Sequence, residues 1–296
     1  MDNKLSELTV VIVTFETDIS ILKNCLNSID ESVKVLIVEN SDVFIHQKEI
    51  KEKFKNVQIV CSGSNLGMGK GNNFGLHKVT SSHALLLNPD IICEKNFFVN
   101  ITEYLNNRIE YSIIGCQYRD NTVWKPAGYF SRQKNALTQF NNNLTKVDWV
   151  VGCSMLINLK KFNNKNIFDE NFFLFFEEFD LCRRTIHRGD LVYSSNRLIV
   201  NHLGFKGSFA TDKKFEIQAL KLKNWHYMWS QFYFNKKHDG LLISYLKALP
   251  KLIKNLYKML FNILLRNQSQ TIKYKYRFLG LFNSMLTRKS FFRINF

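Results

Sequence analysis

The sequence predicts an α/β protein: a mostly parallel central sheet flanked by helices, followed by a basic, helical C-terminal extension. Three observations predict it. In the first half, short apolar runs rich in β-branched residues alternate with segments of helical period, the pattern of βαβ units. Several of those runs stop at an acid, as at Glu16, Glu39 and Asp90, and ligands of open α/β sheets gather at the carboxyl ends of strands. Finally, the charge is divided. Residues 203–296 hold 18 Lys and Arg against 3 Asp and Glu, whereas the preceding 202 residues hold 23 against 22.

The elements follow in order. "LTVVIVTF" (8–15) reads as a buried strand. "DISILKNCLNSI" (18–29) has helical spacing at Ile21, Leu22, Cys25, Leu26 and Ile29, with Asp18 or Ser20 as its cap. "VKVLIVE" (33–39), "NVQIVCS" (56–62) and "HALLLN" (83–88) read as strands two to four, and "GNNFGLHKV" (71–79) as the helix before the fourth. "EKNFFVNITEYLNN" (94–107) reads as a helix. "SIIGCQYRDNTVWKPAGYF" (112–130) reads as a strand leading into a hairpin, and "VDWVVGCSMLIN" (147–158) as a further strand. A helix is expected over 177–187, ended by Gly189, then a strand pair in "LVYSSNRLIVNH" (191–202) and helices from about 211 onward. Two domains are expected, 1–210 and 211–296.

Bulk properties narrow the function. Hydrophobic residues make up 45% of 296, enough for a true core. The six cysteines are scattered with no C-x-x-C pair, which reads as a reduced, cytosolic chain. "MDNKLSELTVVIVTF" lacks a basic n-region, so no leader is expected. No 18-residue apolar stretch occurs, so no membrane span is expected. A basic stretch calls for an anionic partner, nucleic acid or membrane surface.

Four stretches bear on chemistry. In "LLLNPDIIC" (85–93), Asn88, Pro89 and Asp90 end a buried strand; taken alone they suit a plain turn better than a carboxylate offered to a ligand. "SGSNLGMGKGNNFG" (62–75) carries Gly67, Gly69 and Gly71 before a helix, where backbone could approach a phosphate, yet its spacing is neither G-x-G-x-x-G nor a P-loop. "FFEEFD" (175–180) puts Glu177, Glu178 and Asp180 in one turn. They complement a helix dipole, and beside the apolar "NFFLFF" they could also be desolvated into usable bases. His202 ends the strand pair in "LIVNHLG", as a structural histidine or as a metal ligand beside a carboxylate.

In order, "VVIVTF", "LIVENSD", "NLGMGKGNNFG", "LLLNPD", "WVVGCSM", "FDENFFLFFEEFDLCRR" and "NHLGFKGS" resemble glycosyltransferase family 2, of the GT-A fold. The likeness covers about residues 8 to 208 and is nearest to the rhamnosyltransferase-like enzymes of bacterial surface polysaccharide assembly. It implies that Asp90, with Asn88 close by, and His202 hold Mg²⁺ or Mn²⁺ on a nucleotide-diphosphate donor. Glu177 and Glu178 take the family's acid pair, Glu178 as catalytic base, with Asp180 a third acid in the same turn. Thr14, Glu16, Glu39, Asn65, Lys70 and Asn72 fall on the nucleotide side; Trp149, Gly152 and Cys153 fall near donor sugar and acceptor. The chain departs from the pattern with Glu for Asp at 39 and 178, Glu for Asn at 16, and Lys for a small residue at 70. The implied reaction is an inverting transfer, with dTDP-rhamnose as the expected donor, UDP-hexoses and UDP-galactofuranose as alternatives, and a saccharide, or a polyprenyl-diphosphate-linked one, as acceptor.

The tail adds a location. In "LPKLIKNLYKMLFNILL" (249–265), Leu249, Leu252, Ile253, Leu256, Leu260 and Leu264 share one helical face, and Lys251, Lys254 and Lys258 another. This predicts a helix on an anionic membrane surface, peripheral to its cytoplasmic face, or an ordinary packed helix with its lysines in water. Rival readings are a nucleotidyltransferase with a similar sheet, and nucleic-acid binding through "TIKYKYRFLG" (271–280), although no nucleic-acid module is recognised.

Overall fold

The computed structural model describes residues 4–106, 108–119, 126–130, 139–141, 143–204 and 213–293. The chain divides into two compact units. One comprises residues 1–66, 70–169 and 178–208; the other comprises 67–69, 170–177 and 209–296.

The first unit is the α/β body. Its strands are β1 (Leu8–Thr14), β2 (Lys34–Glu39), β3 (Val57–Cys61), β4 (His83–Leu87), β5 (Ile91–Cys93), β6 (Ile113–Tyr118), β7 (Ala127–Gly128), β8 (Gln139–Asn141), β9 (Leu144–Lys146), β10 (Trp149–Val150), β11 (Ser154–Asn158) and β12 (Val192–His202). One sheet runs β3-β2-β1-β4-β11-β6-β12-β9-β8, with β5 on β12; β7 and β10 form a separate ribbon. The four strands β3-β2-β1-β4 are parallel, and β11 runs antiparallel between β4 and β6. Every residue of β1 and β4 is buried, as their apolar runs require of strands covered on both faces.

Helices α1 (Ile19–Asn27), α2 (Gln47–Lys53), α3 (Met68–Leu76), α4 (Phe97–Ile101) and α5 (Glu177–His187) connect them. Asp18, rather than Ser20, caps α1: its Oδ1 accepts the Ser20 amide at 2.7 Å. Gly189, at φ +86°, stops the chain just past α5. Several expectations need correcting. α4 is one short turn, Phe97–Ile101, and the chain continues through residues 102–106 as turns rather than helix. α2 went unread because Ile50 is its one buried residue, too little for a period. The strand pair at 191–202 is one strand, β12, with a register shift between Ser194 and Ile199. "VDWVVGCSMLIN" breaks into β10 and β11. The hairpin expected after β6 lies partly outside the described residues, as does the end of "NHLGFKGS"; β7, its described part, pairs with β10 instead.

The second unit is built on α6 (Lys213–Asp239), α7 (Leu241–Leu264) and α8 (Gln268–Met285). Met228, Phe232, Ala248, Leu281 and Met285 form its core. A Cβ at Gly280 would lie 2.1 Å from the Trp225 carbonyl oxygen, so α8 crosses α6 at backbone distance and only glycine fits. The aromatic segment before α5 joins these helices. Phe172 packs on Tyr233, Phe173 on His226 and Phe176 on Phe234, and the Ser230 hydroxyl donates to the Leu174 carbonyl.

The orientation of α7 is a second correction. Lys251 reaches inward to Gln231 at 2.6 Å, and Lys258 to the Tyr274 hydroxyl at 3.2 Å. Ser244, Ala248 and Asn255 are its buried residues, while Leu249, Ile253, Leu256, Leu260 and Leu264 are exposed. The reading with lysines in water and leucines on the domain is therefore reversed.

Candidate active site

The carboxyl ends of β1 and β2 lie side by side, with Thr14 in register with Glu39. The Thr14 hydroxyl donates to Glu39 Oε2 at 2.6 Å. Both are buried, and burial pushes the Glu39 carboxyl above its usual range, against the opposing bonds from Thr14 and Ser41. Glu16 stands exposed one turn on, at φ +47°. Asn40, not anticipated, is buried beside them, and its amide donates to the Thr14 carbonyl at 2.8 Å.

The loop from β3 to α3 carries Asn65, half-buried, Lys70, exposed, and Asn72, buried. Its glycines serve packing. A Cβ at Gly71 would crowd Val13 and Asn40. Gly67, at φ +79°, has the Phe173 carbonyl oxygen 2.2 Å from where a Cβ would stand.

A second corner forms where β5 pairs antiparallel with the end of β12, Ile91 opposite His202. That pairing brings His202 Nε2 to 3.3 Å from Asp90 Oδ2. Asp90 is almost fully buried. The Leu203 amide donates to the Asp90 carbonyl, which pins the two segments together. Tyr118, missed in the sequence, stacks on the His202 ring at 5.8 Å between centroids, and its hydroxyl lies 2.7 Å from Cys153 Sγ. Its signal was its place at the carboxyl end of β6, the same rule that picked out Asp90. Carboxylate oxygen and imidazole nitrogen at this separation could supply two ligands of a divalent ion. Among the described residues no group of three or more His, Cys, Asp or Glu converges, and substrate phosphates and water commonly complete such a shell.

The third corner is the break between β10 and β11. The Cys153 carbonyl accepts the Asn88 amide at 2.9 Å, which ties the break to the Asp90 turn. On the other side, a Cβ at Gly152 would lie 3.2 Å from Glu178 Cβ. Trp149 packs on Phe179 at 5.0 Å. Glu178 is half-buried, yet its Oε2 is fully covered and accepts no hydrogen bond. Burial pushes this carboxyl up to about 7, although backbone amides, including that of Gly152, favour its ionised form. Asp180 is buried and bound to Arg184 Nε at 2.7 Å, and Arg184 also donates to the Ile167 carbonyl. That pair anchors α5. Glu177 belongs to the aromatic segment of the other unit.

The geometry thus joins Asp90, His202, Tyr118, Cys153, Gly152 and Glu178 in one neighbourhood, and Thr14 with Glu39 in another. Residues 9–180, more than half of the chain, match the model of glycosyl transferase family 2.

The chain belongs to that family.

This family 2 protein is 28% identical over 184 residues to the rhamnosyltransferase WbbL of Escherichia coli (strain K12), a match spanning 54% of this chain and 68% of the relative. It is 27% identical over 195 residues to the low-salt glycan biosynthesis hexosyltransferase Agl10 of Haloferax volcanii, spanning 61% and 62%. Its fold is that of the mannosyltransferase PcManGT from Pyrobaculum calidifontis, solved with GDP-Man and Mn²⁺, at TM-score 0.56 and 10% identity over 96% of this chain and 88% of that one. The protein is a glycosyltransferase of the GT-A fold.

Proposed function

We propose that this glycosyltransferase moves a sugar from a nucleotide-diphosphate donor to a hydroxyl of a saccharide acceptor, with inversion, in cell-surface polysaccharide assembly. The observation that carries the reading is the segment Gly152–Cys153. It is bonded to the Asp90 turn on one side and packed on Glu178 on the other, so a metal corner and a carboxylate poised near neutrality flank one position.

Asp90 and His202 would hold Mg²⁺ or Mn²⁺ on the donor diphosphate, with Asn88 beside them, where the ion would neutralise charge developing on the leaving group. Thr14, Glu16 and Glu39 would take the nucleoside, with Asn65, Lys70 and Asn72 on the loop beside it. Trp149, Gly152 and Cys153 would line the sugar and acceptor. Glu178 would accept the proton of the acceptor hydroxyl as its oxygen attacks the anomeric carbon. A carboxyl near 7 suits that task, since it is ionised just above neutrality and still basic enough to pull. Asp180 keeps a structural place through Arg184, and Glu177 follows from the resemblance alone.

The donor we favour is dTDP-rhamnose, in line with the match to a rhamnosyltransferase; UDP-hexoses are the next to test. A polyprenyl-diphosphate-linked acceptor would set the reaction at the cytoplasmic face of a membrane. Family membership weighs against a nucleotidyltransferase. The deciding experiment screens nucleotide sugars for donor hydrolysis with Mg²⁺ or Mn²⁺. Release of nucleoside diphosphate from one sugar nucleotide supports the reading, and pyrophosphate release from a nucleoside triphosphate would overturn it.

A further inference from the structure

Helix α7 is turned inside out. Of its 24 residues, the buried ones are small or polar, Ser244, Ala248 and Asn255. Its largest apolar side chains face away from the core: Leu242 is 74% exposed, Ile253 67% and Leu264 81%. At 100° per residue these three, with Leu246, Leu249, Tyr257 and Leu260, fall within one arc opposite the buried residues. A helix of this length carries that arc for about 36 Å. A continuous apolar strip of this extent marks a surface meant to be covered.

Charge decides what covers it. Exposed Lys254 and Lys247, the latter paired with Asp239 at 2.7 Å, run along one edge of the arc, while Lys251 and Lys258 are turned into the bundle. Residues 213–293 carry 17 Lys and Arg against two acids, Glu216 and Asp239. A second copy on the same face would bring like charge to like charge, whereas an anionic surface complements it. No helix among the described residues is long and apolar enough to cross a membrane, so the strip would lie on a bilayer rather than through it.

We infer that α7 seats this protein on an anionic phospholipid surface, with its leucine strip in the acyl boundary and the lysine edge at the headgroups. The hold is chiefly apolar, because two of the three lysines nearest the strip's middle are spent inside the fold. The inference rests on α7 alone and stands whether or not the donor reading does.

The test is flotation of the full chain with vesicles of equimolar phosphatidylglycerol and phosphatidylcholine. The protein should float with them and lose part, but not all, of its binding at about 0.5 M salt, where only the charge contribution is screened. The triple variant Leu242→Gln, Ile253→Gln, Leu264→Gln should partition on the order of 100-fold more weakly while its circular dichroism and melting match wild type. Should that variant fail to fold, Ile253→Trp decides instead: its emission should be quenched by vesicles with brominated acyl chains. Unbound wild type, equal binding to pure phosphatidylcholine, an unquenched Trp at 253, or a dimer that the triple variant dissolves would each overturn the assignment.

Discussion

Gly152 and Glu178 meet across the break between β10 and β11, where a side chain at 152 would begin 3.2 Å from Glu178 Cβ and 3.4 Å from its Cγ. A methyl there must push the acid aside by a few tenths of an ångström. The change is small for the fold but large for a base that has to meet one hydroxyl. Gly152→Ala should lower turnover about 10- to 100-fold with donor affinity nearly unchanged. Isothermal titration with nucleoside diphosphate, run beside a transfer assay, separates the two. Wild-type turnover would show that Glu178 tolerates the shift and is not the base.

Glu178→Gln keeps shape and removes the proton acceptor. Transfer should drop about 10²- to 10⁴-fold. In the wild type the acid limb of the rate should follow a group near 7, with activity rising as pH passes through that value. The same shift makes a stability prediction. A carboxyl raised when folded from 4.5 to about 7 favours the fold below 4.5, and that contribution is lost as pH climbs through 7. The melting temperature of Glu178→Gln should therefore gain on wild type between those pH values and hold its lead above them. Parallel melting curves would reject the buried carboxyl.

Asp90→Asn and His202→Ala each remove one partner of the 3.3 Å pair. Both should weaken Mn²⁺ binding at least about 10-fold and cut metal-dependent donor turnover with the fold retained. Manganese titration followed by electron paramagnetic resonance gives the affinity directly. Full activity in excess EDTA would remove the ion from the scheme. Tyr118→Leu should weaken binding less, since it frees the His202 ring without deleting a ligand.

Much of this site was legible because strand ends are legible. Thr14, Glu39 and Asp90 each follow an apolar run, and the sheet collects such ends on one edge. The pairing of Asp90 with His202 was not derivable from either strand. It depends on β5, three residues long, lying antiparallel on the end of β12, and short pairings leave no period to read. Cys153 and Gly152 came from a motif, while the reason for glycine came from the structure, since no local pattern announces that Glu178 will pack there. The reversal of α7 shows the same limit. A helical wheel finds two faces but not which one the bundle takes, and here Gln231 and Tyr274 draw the lysine side inward.

Phe175 and Phe176 both adopt left-handed backbone, at φ +68° and +69°, a conformation that costs a bulky residue about 1–3 kcal/mol and persists only where surroundings enforce it. Their rings lie 5.7 and 5.6 Å from the ring of Tyr227 on α6. Tyr227 is 39% exposed, so its loss should cost the core little. Its removal should instead let the turn relax toward ordinary backbone, and Glu178 follows Phe176 by two residues along the chain. Tyr227→Ala should therefore lower turnover about 10-fold or more, with nucleoside diphosphate affinity and melting temperature close to wild type, while Tyr227→Phe, which keeps the ring, should restore the rate. Equal rates for the alanine and phenylalanine variants would show that the strained turn is held without Tyr227, and that α6 has no part in aiming the acid.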